Sequence, residues 1–88
     1  MKPEQITQVI QQHLPDAQVE IRDLTGTADH WQVTVVSSGF EGKPMLAQHR
    51  MVKGFFEADI ASGVLHAFSL KTYTPQEWAQ KSVKLISA

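Results

Sequence analysis

LHAFSLKTYTPQEW, residues 65–78, changes its hydrophobic period partway along. From His66 to Tyr73 the side chains alternate: His66, Phe68 and Leu70 point one way, and Ala67, Ser69 and Lys71 the other, which is the period of a strand. At Thr74 the pattern becomes a helix start. Thr74 caps, Pro75 fits the first turn, and Glu77, three residues after Thr74, reaches back to complete a capping box. A strand at this point decides the fold because of the elements that precede it.

Upstream, Met45, Leu46, His49, Val52, Phe56 and Ile60 mark one side of a helix that Gly63 stops. Before it, SSGFEGKP at 37–44 is a turn-rich break. WQVTVV at 31–36 sets Trp31, Val33 and Val35 on one face, and QVEIRDL at 18–24 does the same with Val19 and Ile21. The short Gly-containing segment TGTADH joins these two strands as a hairpin. Ile6, Val9, Ile10 and Leu14 recur at helical spacing from Pro3 to Leu14, where Pro15 forbids continuation. The order α-β-β-α-β-α predicts a single α+β domain over residues 1–88, a three-stranded mixed sheet with helices packed on one face. The hairpin makes the first two strands antiparallel, and a right-handed helical crossover makes the third parallel to the second.

Bulk properties narrow the function. Eighty-eight residues bury roughly 60 to 65% of the surface of the unfolded chain, which supports a modest core and no deep enclosed active site. Eight Lys and Arg against nine Asp and Glu give a formal charge of −1, so nothing draws the whole molecule toward phosphate or anionic lipid. Without cysteine, disulfides, thiol catalysis and thiolate metal sites built from this chain alone are excluded. No apolar run approaches a bilayer span and the N-terminus does not read as a signal peptide, so no membrane association and a cytoplasmic location are expected. No carboxylate pair, activated nucleophile or phosphate-cradling loop points to an enzyme.

Two histidines carry the chemistry. If the second and third strands run parallel side by side, their first residues, His30 and His66, lie at one end of the sheet. Neighbouring strands are about 4.8 Å apart, close enough for both imidazoles to reach one ion or cluster. His30 has the parity opposite to the Trp31 face whereas His66 shares that of Phe68 and Leu70, so convergence places His30 in the hairpin loop. From spacing alone each histidine reads more readily as an ordinary structural residue than as a ligand. His49 reads as packing on the flank of the second helix, and His13 as a helix C-terminal residue near the dipole. Trp31, Phe56, Phe68 and Trp78 read as core. Lys43, Arg50, Lys53 and Lys71 are the candidates for a surface that meets an acidic partner or a phosphate. Gly39, Phe40, Glu41 and Gly42 match the GxxG loop by which KH modules clamp a nucleotide backbone. With Lys43, Arg50 and Lys53 that loop defines a competing nucleic-acid reading, though Gly42 and Pro44 equally read as a turn and a helix start.

FEGKPMLAQHRMV at 40–52 and LHAFSLKTYTPQEW at 65–78 closely resemble the BolA-like family, and the resemblance extends over nearly the whole chain. It implies a class II KH-like fold and a non-enzymatic partner of monothiol glutaredoxins, forming heterodimers that bridge a [2Fe-2S] cluster. Some members are described as transcriptional regulators, which leaves weak DNA binding as the alternative. In the family pattern the histidine that opens the third strand is a cluster ligand, here His66. A second ligand, His or Cys, comes from the loop between the first two strands, which gives that role to His30. The family's usual Arg-His-Arg is Gln48, His49, Arg50 here, and the loop TGTAD is short. Replacing two thiolates by neutral imidazoles on one iron lowers the net negative charge and raises the reduction potential, and such ligation weakens once imidazole is protonated. The resemblance also implies that the cluster is present only when glutaredoxin and glutathione share it. The isolated chain is expected to carry no cofactor and to be a monomer or weak homodimer.

Overall fold

A computed structural model describes residues 2–26, 30–65 and 68–87, with side chains described as far as residue 81. The elements are α1 (Pro3–His13), β1 (Gln18–Asp23), β2 (Trp31–Val36), a 3-10 turn (Ser38–Phe40), α2 (Met45–Phe55), α3 (Glu57–Ala61), β3 (Phe68–Tyr73) and α4 (Pro75–Ser87). Pro15 ends α1 as its missing N–H requires, and the Leu14 N–H makes the last helical bond, to Ile10 at 2.8 Å. At β1 the chain turns because the Asp23 carboxylate accepts from the Gly26 N–H at 2.9 Å and the Thr25 N–H at 3.2 Å. The capping box of α4 forms as its sequence predicts. The Thr74 hydroxyl accepts from the Glu77 N–H at 3.2 Å, and the Glu77 carboxylate accepts from the Thr74 N–H at 2.9 Å.

The sheet order is β1-β2-β3. β1 runs antiparallel to β2, with Gln18 opposite Val36 and Asp23 opposite Trp31. β3 runs parallel to β2, with Trp31 opposite Phe68 and Val36 opposite Tyr73. Residues paired across strands share a face, so Val19, Ile21, Trp31, Val33, Val35, Phe68, Leu70 and Thr72 form the inner face. α1 packs there against β1 and α2 against β3. Ile6, Ile10, Phe40, Val52, Phe56 and Leu65 join Val33 and Val35 in one buried cluster. The outer face carries Glu20, Arg22, Gln32, Thr34, Ser69 and Lys71.

The second helix departs from its expected form. A single helix through Ile60 is replaced by α2 and α3, separated at Phe56, whose φ of −110° and ψ of 13° are not helical. Leaving the helix seats the Phe56 ring entirely in the core, edge-on to Phe68 at 5.8 Å. Gly54, a poor helix former in the preceding turn, weakens the helix just there. The buried face also differs. Met45, Leu46 and Ile60 are 67%, 62% and 44% exposed, while Gln48 and Val52 point inward. A polar side chain can hold the inward position because its hydrogen bonds are made. The Thr72 hydroxyl donates to Gln48 Oε1 at 2.7 Å, and Gln48 Nε2 donates to the Lys43 carbonyl at 2.8 Å. Leu46, two residues earlier, lies about half a turn away around the helix and so faces solvent.

Trp78 is a further correction. It is half-buried outside the main cluster, with its ring 5.3 Å from Tyr73, and it anchors α4 to the end of β3. Lys81 donates to the Tyr73 hydroxyl at 2.8 Å, tying the same end together. His13 does more than sit near a helix dipole: its Nδ1 is 2.9 Å from the Val9 carbonyl and its ring stacks on Phe55 at 4.2 Å, linking α1 to α2.

Candidate functional site

Parallel pairing brings the starts of β2 and β3 to one rim of the sheet, with Trp31 beside Phe68. His30 immediately precedes β2. Its carbonyl accepts from the Leu24 N–H at 3.0 Å, so it extends the β1-β2 ladder by one pair and does not belong to the free loop where convergence with His66 had placed it. Ladder pairing fixes the direction of its ring. His30 has the parity of Gln32, on the outer face, and its Nε2 is 3.4 Å from the Ser69 hydroxyl of β3. The ring is half-exposed, and so long a contact leaves its nitrogen available to an outside partner. Ser69 carried no signal of its own in the sequence; strand alternation together with the parallel register identifies it as the neighbour of His30. His66, the other candidate ligand, lies outside the described residues.

Among the described residues no group of three or more His, Cys, Asp and Glu could hold a metal ion by itself. At the rim the described side chains offer one imidazole, that of His30, beside the Ser69 hydroxyl. No described helix is long and apolar enough to cross a membrane.

The four candidate cations fall on two surfaces. Arg50 and Lys53 are exposed one turn apart on the solvent side of α2, and Lys43 is exposed in the turn before it. Lys71 alternates with the inward-facing Leu70 and Thr72 and pairs with Thr34, so it lies on the outer face of the sheet, two residues beyond Ser69. The sheet separates it from Arg50 and Lys53 and sets it on the same side as His30. His49, next to the inward Gln48, is half-buried and lines a small cavity with Met45 and the 70–73 stretch of β3.

Within the Gly39–Gly42 segment packing fixes Phe40 and Gly39, while Glu41 and Gly42 are exposed. Phe40 is fully buried. A Cβ on Gly39 would stand 2.7 Å from Leu14 Cδ2, so glycine there permits close approach of two segments. Gly42 has a φ of +76°, the left-handed conformation that glycine adopts without strain. The stretch is held from outside by Asp16, whose carboxylate accepts from the Ser38 N–H at 2.8 Å, the Ser38 hydroxyl at 2.7 Å and the Ser37 hydroxyl at 2.7 Å. Those bonds, the Ser38 N–H first, favour the charged form and lower its pKa from 3.8 to about 2. Beside this turn an open cavity of about 470 Å³ separates Lys43, Pro44 and Met45 from Thr74 and Glu77 at the start of α4.

Comparison with known proteins agrees with this architecture. The family described as BolA-like protein matches residues 3–77. BolA-like protein 2 of Homo sapiens is 35% identical over 86 residues, covering 96% of this chain and 98% of the relative. The DNA-binding transcriptional regulator BolA of Vibrio cholerae is 42% identical over 55 residues, which are 62% of this chain and 51% of the relative. Among solved structures, a bolA protein homologue from Coxiella burnetii superposes with a TM-score of 0.74 at 31% identity, covering 90% of this chain and 97% of that one.

Proposed function

Because the chain belongs to the BolA-like family, we propose that it is a non-enzymatic adaptor that pairs with a monothiol glutaredoxin and helps to ligate a bridging [2Fe-2S] cluster through His66 and His30. The observation that carries this reading is the half-exposed His30 ring, weakly tethered at the rim where β2 and β3 begin together. A chain without cysteine has only nitrogen and oxygen to offer such a cluster; the thiolates come from glutaredoxin and its glutathione. Histidine ligation supplies a less negatively charged, higher-potential form of the cluster. In this reading His66 and His30 supply the two imidazoles, and the half-exposed ring of His30 is open to the sulfur donor. Lys71, on the outer face with His30, and Lys43, Arg50 and Lys53 on the α2 side supply positive charge for the partner. A reducing cytoplasmic setting suits this chemistry.

Mixing the protein with a cluster-loaded monothiol glutaredoxin and recording visible absorption and circular dichroism tests the proposal. His66→Ala should retain pairing and lose the histidine-type spectrum, and His30→Ala should alter it. An unchanged spectrum for His66→Ala rejects the ligand assignment, and absence of any complex with the unmodified chain rejects the pairing.

Nucleic-acid binding is the second reading, favoured by the name of the Vibrio cholerae relative and by the exposure of Lys43, Arg50 and Lys53. Gly39 and Gly42 contribute less to it, since of the two residues between them Phe40 is buried and Glu41 sets a negative charge where a phosphate would sit. A phosphate-binding surface loses affinity steeply as salt rises, whereas cluster-bridged pairing depends on iron and glutathione.

A further inference from the structure

Among the described residues β1 is an edge strand, paired on one side only, by β2. The Leu24 N–H bond to the His30 carbonyl identifies the hydrogen-bonded pairs of that ladder. In an antiparallel pair these alternate, so Gln18, Glu20 and Arg22 turn their backbone groups toward β2, and Val19 and Ile21 turn theirs to the open edge. On the inner face Val19 and Ile21 are half-buried. They line an open groove of about 400 Å³ between the edge and the flank of α1, together with Pro3, Glu4, Thr7 and Gln8. On the outer face Glu20 and Arg22 are exposed.

We infer that this edge is the site at which a second copy of the chain docks, β1 against β1 in antiparallel pairing about a two-fold axis through Ile21. The outward backbone groups belong to odd-numbered residues, so the two chains can meet only in registers that set odd against odd and even against even. With Ile21 opposite its symmetry mate, Glu20 stands opposite Arg22 of the other copy and Arg22 opposite Glu20. These two symmetric pairs fall at non-hydrogen-bonded positions, where side chains approach most closely. Sliding by one permitted step either way sets Glu20 against Glu20 or Arg22 against Arg22, directly opposed like charges that destabilise a ladder. Backbone parity and charge therefore select the same register. The groove beside Val19 and Ile21 leaves room for the partner's apolar side chains, and the product is a continuous six-stranded sheet. A single six-residue edge buries far less than a stable interface of roughly 1,200 Å² or more, so the association is weak and concentration-dependent. It leaves the β3 edge of the sheet and the His30 rim outside the contact.

Sedimentation of the full chain up to about 1 mM tests this, with the weight-average mass expected to rise toward that of two copies. Glu20→Arg and Arg22→Glu should each weaken self-association at least about tenfold, with far-UV circular dichroism unchanged because both side chains are exposed. Mixing the two variants, or combining both changes in one chain, restores opposite charges at each pair and should restore association. A chain that stays monomeric over this range, or one whose self-association survives either single reversal, overturns the inference; so does a mixture of the two variants that fails to associate.

Discussion

Replacing Asp16 by Asn tests how the α1-β1 turn is fastened to the turn after β2. The carboxylate accepts three hydrogen bonds from Ser37 and Ser38, and these hold its pKa at about 2 against an ordinary 3.8. A difference of that size corresponds to about 2 kcal/mol at most; because Asp16 is exposed, solvent screening reduces the expected contribution to about 1 kcal/mol. Asparagine keeps the shape but presents an NH₂ donor to one set of donors. Asp16→Asn should therefore lower the melting temperature near neutral pH by about 4 to 8 °C. The folded pKa lies below the unfolded one, so between them the unfolded chain binds more protons, and stability falls as the pH falls. The carboxylate's contribution is complete above about pH 4 and is lost as the pH drops from there through about 2. Urea denaturation of both proteins at pH 7, 5, 3 and 2 separates Asp16 from the other carboxylates, because only the difference between the curves belongs to it. That difference should shrink across the acid window. A constant difference from pH 7 to 2, or none at pH 7, refutes the assignment of the shift to these bonds.

Gln48→Met leaves the buried Thr72 hydroxyl without its acceptor and should cost about 1 to 3 kcal/mol in urea titration, much of which Thr72→Val in the same chain should recover; a double variant no more stable than the single one would refute the pairing. Thr74→Ala removes the cap of α4 and should cost about 1 kcal/mol, with Thr74→Ser close to the parent; equal melting temperatures for all three would mean that the cap contributes nothing. His30→Ala should change stability by no more than about 0.5 kcal/mol, since its side-chain contact with Ser69 is 3.4 Å long. A loss above about 2 kcal/mol would make that histidine structural.

Much of the molecule is legible in short stretches. The alternation in WQVTVV, the Pro15 stop, the turn at Gly42 and the Thr74-Pro75-Glu77 start each depend on residues a few positions apart, and the observed elements follow them closely. Strand parity alone also predicted that the His30 ring would lie away from the Trp31 face. Other features depend on what a distant segment supplies. Gln48 points inward because β3 brings Thr72 to it, and Phe56 leaves the helix because the sheet offers its ring a seat beside Phe68. Hydrophobicity along the helix favours Met45, Leu46 and Ile60 for that face, and it cannot register a hydrogen bond formed 24 residues away.

The amino-acid sequence by itself determined the element order apart from the break at Phe56, the mixed sheet and the chemistry available, nitrogen without thiolate, because period, caps and composition are local or additive. Tertiary structure alone decided that Lys71 shares a face with His30 while Arg50 and Lys53 do not, that Asp16 fastens two turns, and that β1 leaves its Val19 and Ile21 backbone groups at an open edge. Those facts follow from register, and register is settled only when strands far apart in the chain meet and a shift of one residue would turn every side chain to the opposite face.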